Sequence, residues 1–183
     1  MYIFIIFLAV LTSLIIMKYT KFITLKERAS NAWAHVDVQL KRRYDLILNL
    51  VNTVQGYATN EKETFQKITE ARSKAIDAKS VEEQGKAETE LNNNLKFLFV
   101  VAENYPELKA NENFKELQQK LSKTEGKIAY ARKFYNDIVQ KYNVIIKMFP
   151  NRIITNLFKL GSIDYFNLDG EERQRTNIEV KFD

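Results

Sequence analysis

Apolar residues recur through the second half of this chain at intervals of three and four. Phe114, Leu117, Leu121, Thr124, Ile128, Ala131, Tyr135, Ile138, Tyr142 and Ile145 follow one another without a slip. That spacing draws a seam down one side of a helix and predicts packing against other helices. At 1.5 Å per residue the stretch 114–148 makes a helix about 50 Å long. An earlier helix is predicted over 25–57, with Trp33, Val36, Leu40, Ile47, Val51 and Val54 on its buried side, Tyr44 and Leu50 flanking, and Gly56 at its end. Asn60 and Glu63 read as a capping box opening a second helix on Phe65, Ile68, Ala71, Ala75 and Ile76, ending near Lys79. Ser80 and Glu83 repeat the signal for a third helix to about Asn104. Leu91, Leu95, Leu98 and Ala102 form its buried side, thickened by Phe97, Phe99 and Val100. Pro106 stops that helix, Asn111 caps the long one and Pro150 closes it. Gly126, inside the long helix, reads as a tolerated surface glycine. Short connectors force antiparallel neighbours, so the expected fold is all-α, a long antiparallel four-helix up-and-down bundle.

The first 17 residues break this pattern, because they have no polar face and no charged side chain. Ile3, Phe4, Ile5, Ile6, Phe7, Leu8, Ala9, Val10, Leu11, Leu14, Ile15 and Ile16 are the expected membrane-spanning positions of one N-terminal transmembrane helix. The run is at the short end of what crosses a hydrocarbon core, with Tyr2 and Tyr19 placed for the two interfaces. No basic stretch precedes it, and Lys18-Tyr19-Thr20-Lys21 offers no small-x-small cleavage site, which favours an uncleaved anchor over a signal peptide. The absence of proline and glycine between Met17 and Gly56 predicts that the next helix follows after only a short break. Lys18, Lys21, Lys26 and Arg28, with Glu27 the only acid among them, predict by the positive-inside rule a cytoplasmic soluble domain. The expected division is an anchor with its basic flank over 1–24, a helical bundle over 25–150, and a short amphipathic segment with a polar tail over 151–183.

In that last division Ile153, Ile154, Leu157 and Phe158 suit a short amphipathic turn, followed by Ile163, Tyr165, Phe166 and Leu168. They either cap the bundle end or present a partner patch, for which Phe158, Ile163, Tyr165 and Phe166 are the candidates. From Asp169 onward the residues are mostly polar apart from the alternation Ile178, Val180 and Phe182, and the tail is expected either to be loose or to add an extended strand to a partner.

Composition narrows the chemistry. Two prolines and five glycines in 183 residues suit long helices. The lack of cysteine excludes thiolate catalysis and cysteine metal sites, and one histidine, His35, makes a histidine metal centre untenable. A net charge of +5 without a basic and aromatic stripe argues against nucleic-acid binding. Glu61, Glu63 and Glu70 sit on solvated faces beside lysines, while Glu82-Glu83 and Glu88-Thr89-Glu90 lack the Glu-x-x-His spacing of bundle di-iron sites. No phosphate loop or nucleophile elbow is present. The expectation is therefore a protein without catalytic residues, metal or cofactor.

One constellation stands out, charge within the apolar pattern. Asp37 and Arg43 share the side of Leu40, and Arg132 and Asn136 share the side of Ile128. A buried charge needs a partner, so Asp37 is expected to pair with Arg43 or Arg132. The simple reading is an internal ion pair that fixes helix register, and the sharper one is a polar pocket for a small anion or a peptide terminus.

The stretch Asn31-Ala32-Trp33-Ala34-His35-Val36-Asp37-Val38-Gln39-Leu40-Lys41-Arg42-Arg43-Tyr44-Asp45-Leu46-Ile47 resembles the LemA family. The likeness continues at Gly56-Tyr57-Ala58, Glu61-Lys62-Glu63-Thr64, Glu70-Ala71-Arg72-Ser73-Lys74-Ala75, Tyr105-Pro106-Glu107-Leu108-Lys109-Ala110-Asn111 and Ile128-Ala129-Tyr130-Ala131-Arg132-Lys133-Phe134-Tyr135-Asn136-Asp137, and ends at Phe149-Pro150 and Tyr165-Phe166. Leu48 departs from it, standing where relatives commonly carry proline. The resemblance implies a bacterial membrane protein with one N-terminal membrane helix and a helical bundle. It brings no established enzymatic activity, and a branch of the family looks like components of magnetosome membranes. The expected function is a non-enzymatic scaffold or docking protein at the bacterial inner membrane, acting on the lipid bilayer and on unidentified protein partners. The alternative is a membrane-tethered ligand-binding or regulatory subunit that uses the charged cluster. No oligomeric state follows from the pattern.

Overall fold

A computed structural model describes residues 1–168, so the Ile178, Val180 and Phe182 alternation lies outside the described residues. Six helices follow one another: α1 Tyr2–Gln55, α2 Lys62–Asp77, α3 Val81–Glu103, α4 Pro106–Ala110, α5 Glu112–Lys147 and α6 Asn151–Leu157. No strand occurs among the described residues. The break expected after the apolar run is absent, because α1 is one helix of 54 residues. Nothing between Met17 and Gln55 withholds a backbone donor or favours another conformation, so the ladder continues.

The helix boundaries follow local chemistry. Ser80 Oγ accepts from the Glu83 amide at 3.1 Å, and the Glu83 carboxylate takes the Lys79 amide at 2.9 Å, a capping box that fixes the start of α3. Asn111 Oδ1 accepts from the Phe114 amide at 3.0 Å and starts α5. The Asn60 box does not form. Glu61 takes the cap position of α2 without a side-chain bond. Pro106 acts as a start as well as a stop: it opens α4, where its missing N–H is one of the amides a helix leaves unpaired.

The chain divides into two compact units, and α1 and α5 contribute to both. The first comprises Met1–Val36 and Ala131–Tyr165. Its core is Phe22, Tyr142 and Ile146, with Leu25, Ile145, Ile154, Leu160 and Ile163 packed against it. The Trp33 and Tyr135 rings meet at 5.3 Å. Polar groups of α5 hold the chain that follows α6. Asn143 donates to the Ile163 carbonyl at 2.8 Å and accepts from the Ile163 amide at 2.9 Å. Tyr142 and Tyr135 donate to the carbonyls of Gly161 and Asp164. The long seam drifts here, since Val139 and Ile146 are buried while Ile138 and Ile145 are only half-buried. Alternating threes and fours average 3.5 residues, whereas a straight helix turns every 3.6 and advances about 20° per heptad.

Among the described residues the second unit comprises 37–130 and 166–168. Leu40, Ile47, Leu50, Val51 and Val54 of α1, Phe65, Ile68, Ala71 and Ala75 of α2, Leu91, Leu95, Leu98 and Ala102 of α3, and Phe114, Leu117 and Leu121 of α5 are buried in it. Ile76, Phe97 and Val100, expected inside, are exposed. They lie beside the seam in sequence and on the other side of the helix in space. Gly126 has nothing near its missing Cβ, whereas Gly85 lies against Phe166 and Asn167, with its Cβ position 2.1 Å from the Asn167 carbonyl oxygen.

Candidate functional site

Two features depart from an ordinary helical core: a buried ionic cluster in the second unit and an uncovered apolar run in the first. The cluster grows from the seam of α3. Continuing that seam from Leu91 toward the N-terminus reaches Glu88 and Gln84, both buried. Arg43 and Tyr44 of α1 meet them. Arg43 Nη1 donates to Glu88 Oε2 at 2.5 Å, Nη2 donates to Asn92 Oδ1, and Nη2 reaches Glu125 of α5 at 3.5 Å. The other Glu88 oxygen accepts the Tyr44 hydroxyl and, at 3.4 Å, Gln84 Nε2. Gln84 also donates to the Tyr44 oxygen at 2.8 Å and to the Ala75 carbonyl at 3.1 Å, while Arg72 Nε donates to the Tyr44 carbonyl at 2.9 Å. Arg43 is 4 % exposed and Glu88 2 %, so neither charge can turn to water.

Burial, then the Glu88 charge and the hydrogen bond to it, hold the Tyr44 hydroxyl well above the usual phenol range. In the first unit burial, with a smaller contribution from Asp164, pushes Tyr135 up to about 12. Tyr142 is raised by burial. Both oxygens of Glu88 are engaged by protein donors. The arrangement ties α1, α2, α3 and α5 together through named contacts, with the Glu88 carboxylate held at both oxygens and Glu125 reaching Arg43 from a half-exposed position. Among the described residues no group of three His, Asp or Glu is placed to hold a metal ion.

The structure redistributes the residues expected here. Arg43 is in the cluster, but its carboxylate is Glu88. Asp37 instead pairs with Lys41 at 2.7 Å on an exposed side of α1, one turn away, which corrects the Asp37–Arg43 pairing. Arg132 and Asn136 are half-buried on α5, in the other unit. Glu88, Gln84, Tyr44 and Asn92 were missed. For Gln84 and Glu88 the signal was the three-and-four spacing through to Leu91, which a reading that scores glutamate as surface discards. The predicted partner patch is dispersed too. Phe166 is 1 % exposed, Ile163 packs against the Phe22 cluster, and only Phe158 and Tyr165 keep much ring surface in solvent.

The apolar run occupies the first part of α1, the one helix among the described residues that is long and apolar enough to cross a membrane. From Ile3 to Ile16 its side chains are exposed except at the half-exposed Ile15. Of the two hydroxyl side chains near its middle, Thr12 and Ser13, that of Thr12 is satisfied within the helix, since its Oγ1 donates to the Leu8 carbonyl at 2.5 Å.

These features define an all-helical protein with an apolar helix at its N-terminus and an internally paired ionic core. The chain belongs to the LemA family, whose model matches residues 32–182. It is 28 % identical over 147 residues to the protein LemA of Metamycoplasma hominis, covering 78 % of this chain and 66 % of that one. It is 23 % identical over 179 residues to the magnetosome protein MamQ of Magnetospirillum gryphiswaldense, with 84 % and 66 % covered. It is also 23 % identical over 178 residues to the magnetosome protein MamQ 1 of Paramagnetospirillum magneticum, with 83 % and 65 % covered. The chain spans 65 or 66 % of the length of these curated relatives.

Proposed function

We propose that the protein is a single-pass anchor-and-scaffold protein of the bacterial inner membrane, with residues 1–17 in lipid and the helical domain in the cytoplasm as a docking surface for other proteins. The arrangement we favour for α1, α2, α3 and α5 is an antiparallel up-and-down bundle, which their short connectors support. The observation that carries the reading is the uncovered apolar stretch of α1. Each large side chain left in water there forgoes roughly 1.5–3 kcal/mol of burial, and lipid recovers it. The magnetosome protein MamQ among the relatives agrees with a membrane setting. The reading is non-enzymatic, because Glu88, the one carboxylate buried among the described residues, is held by internal partners. The occupied Glu88 oxygens weigh against a ligand held through that carboxylate, while Arg43 Nε is buried without a hydrogen-bond partner.

Membrane fractionation of cells producing the full chain tests the anchor. The protein should stay with the pellet through carbonate washing, and release by carbonate would defeat the reading. A reporter fused after Asp183 should signal from the cytoplasm. A signal from the far side would reverse the orientation and leave the anchor standing.

A further inference from the structure

The exposed apolar surface of the first unit does not end with residue 17. Phe149, Ile153 and Leu157 recur every four residues along one outward stripe of α6 and its entry turn, joined by Met148 and Phe158. Leu157 is 71 % exposed and Phe149 84 %. Meanwhile Ile154, Thr155 and Leu160 face inward, two of them packed on the Phe22, Tyr142 and Ile146 core. A short helix with apolar residues on both faces has nothing to gain from water on the second.

Its position is set by contacts with α1. The Phe158 ring lies 4.6 Å from that of Tyr19, and Ile154 packs on the cluster containing Phe22. Tyr19 is two residues beyond the uncharged run, about 3 Å along the helix. The 17 uncharged residues cover about 26 Å, slightly less than a hydrocarbon core of about 30 Å. The stripe therefore stands at the level where the apolar run gives out and lipid does not. Charge agrees. Lys147, Arg152 and Lys159 surround the stripe, Lys18, Lys21 and Lys26 follow the run on α1, and no acid occurs before Glu27 or between Lys147 and Ile163.

We propose that α6 and its flanking turns are a second membrane-contacting element. Phe149, Ile153, Leu157 and Phe158 enter the headgroup and upper acyl region of the bilayer that α1 crosses, and the cations meet anionic headgroups. The proposal rests on the anchor reading and adds to it a fixed depth and a fixed facing side for the first unit. A patch of this kind suits a protein partner in other settings. Here its level beside Tyr19 and its acid-free surround favour lipid.

The chain has no cysteine, so single-cysteine variants report cleanly. L8C, L157C, I153C and H35C, each carrying an environment-sensitive fluorophore, are reconstituted as the full chain into phosphatidylethanolamine–phosphatidylglycerol vesicles. Lipids bearing doxyl quenchers are then added, either near the headgroup or at mid-chain. The L157C and I153C probes should emit blue-shifted light and lose intensity to the headgroup-level quencher. L8C should respond to the mid-chain quencher, and H35C, about 24 Å beyond Tyr19 along α1, to neither. L157C behaving like H35C while L8C is quenched would overturn the proposal and leave the anchor intact. Blue-shifted emission at L157C without lipid quenching would overturn it in favour of a second copy covering the stripe. An unquenched L8C would remove the anchor and the proposal together.

Discussion

Glu88 and Arg43 form the pair most sensitive to single substitutions. Removing one partner leaves the other charged and buried. Glu88→Ala should therefore cost about 3–5 kcal/mol, read as a lowered thermal midpoint of the full chain in detergent. The double variant Arg43→Met with Glu88→Leu should recover most of that loss, since the desolvation cost disappears with the charges. Tyr44 and Tyr135 add a pH dependence. Both are held above the usual value of 10.0, so the folded state keeps protons that the unfolded chain releases. Their stabilising share is complete below pH 10 and falls as pH rises through 10 toward 12, by at most about 1.4 kcal/mol per pH unit for each tyrosine. Circular-dichroism melts across that range should show the decline, and Tyr44→Phe should flatten it. This cluster was half legible in the sequence. Arg43 was marked by its place among Leu40 and Ile47, but partner choice depends on which helix lies opposite, and spacing within one helix does not carry that.

At the scale of elements, α3 and α5 each contain one glycine, and the two should respond oppositely to the same change. Gly126→Ala meets open space on α5 and should stabilise by roughly 0.5–1 kcal/mol through helix propensity. Gly85→Ala would set a methyl group 2.1 Å from the Asn167 carbonyl oxygen. That clash should outweigh the propensity gain and destabilise by about 1–3 kcal/mol. Paired thermal melts decide it. Ser80→Ala should cost about 1 kcal/mol by removing the cap of α3. The helices themselves were plain from apolar spacing, as were the caps Ser80 and Asn111. Asn60 misled because the capping-box sequence pattern does not by itself ensure that the capping hydrogen bonds form. Phe97 and Val100 misled because large apolar residues next to a seam resemble part of it. The short α4 was hidden by reading Pro106 only as a terminator, when proline suits the first turn equally well.

For the whole molecule, the proposed anchor makes the uncharged start of α1 the determinant of location. Leu8→Arg combined with Leu11→Arg should raise the cost of residence in lipid by about 2.5–3.5 kcal/mol per site. The doubly substituted chain should then leave the membrane pellet on fractionation, whereas the same pair of arginines at the exposed positions Lys67 and Lys86 should not move it. Charge-free length was readable from sequence directly, because crossing a bilayer depends on composition and extent more than on packing. The α6 stripe was not. Ile153, Ile154, Leu157 and Phe158 read as one amphipathic face, and only packing against Phe22 and Tyr142 divides them into residues turned inward and residues left outside.

The close approach of Asn167 to Gly85, beside a fully buried Phe166, bears on how shortened versions of this protein should be cut. A stop codon placed after Tyr165 would withdraw a plug from the helical body and yield an aggregating product. One placed after Leu168 would retain the plug and should yield a soluble lysate fraction once the lipid-seeking start is also deleted. Deletion series aimed at the last 15 residues should begin at that boundary.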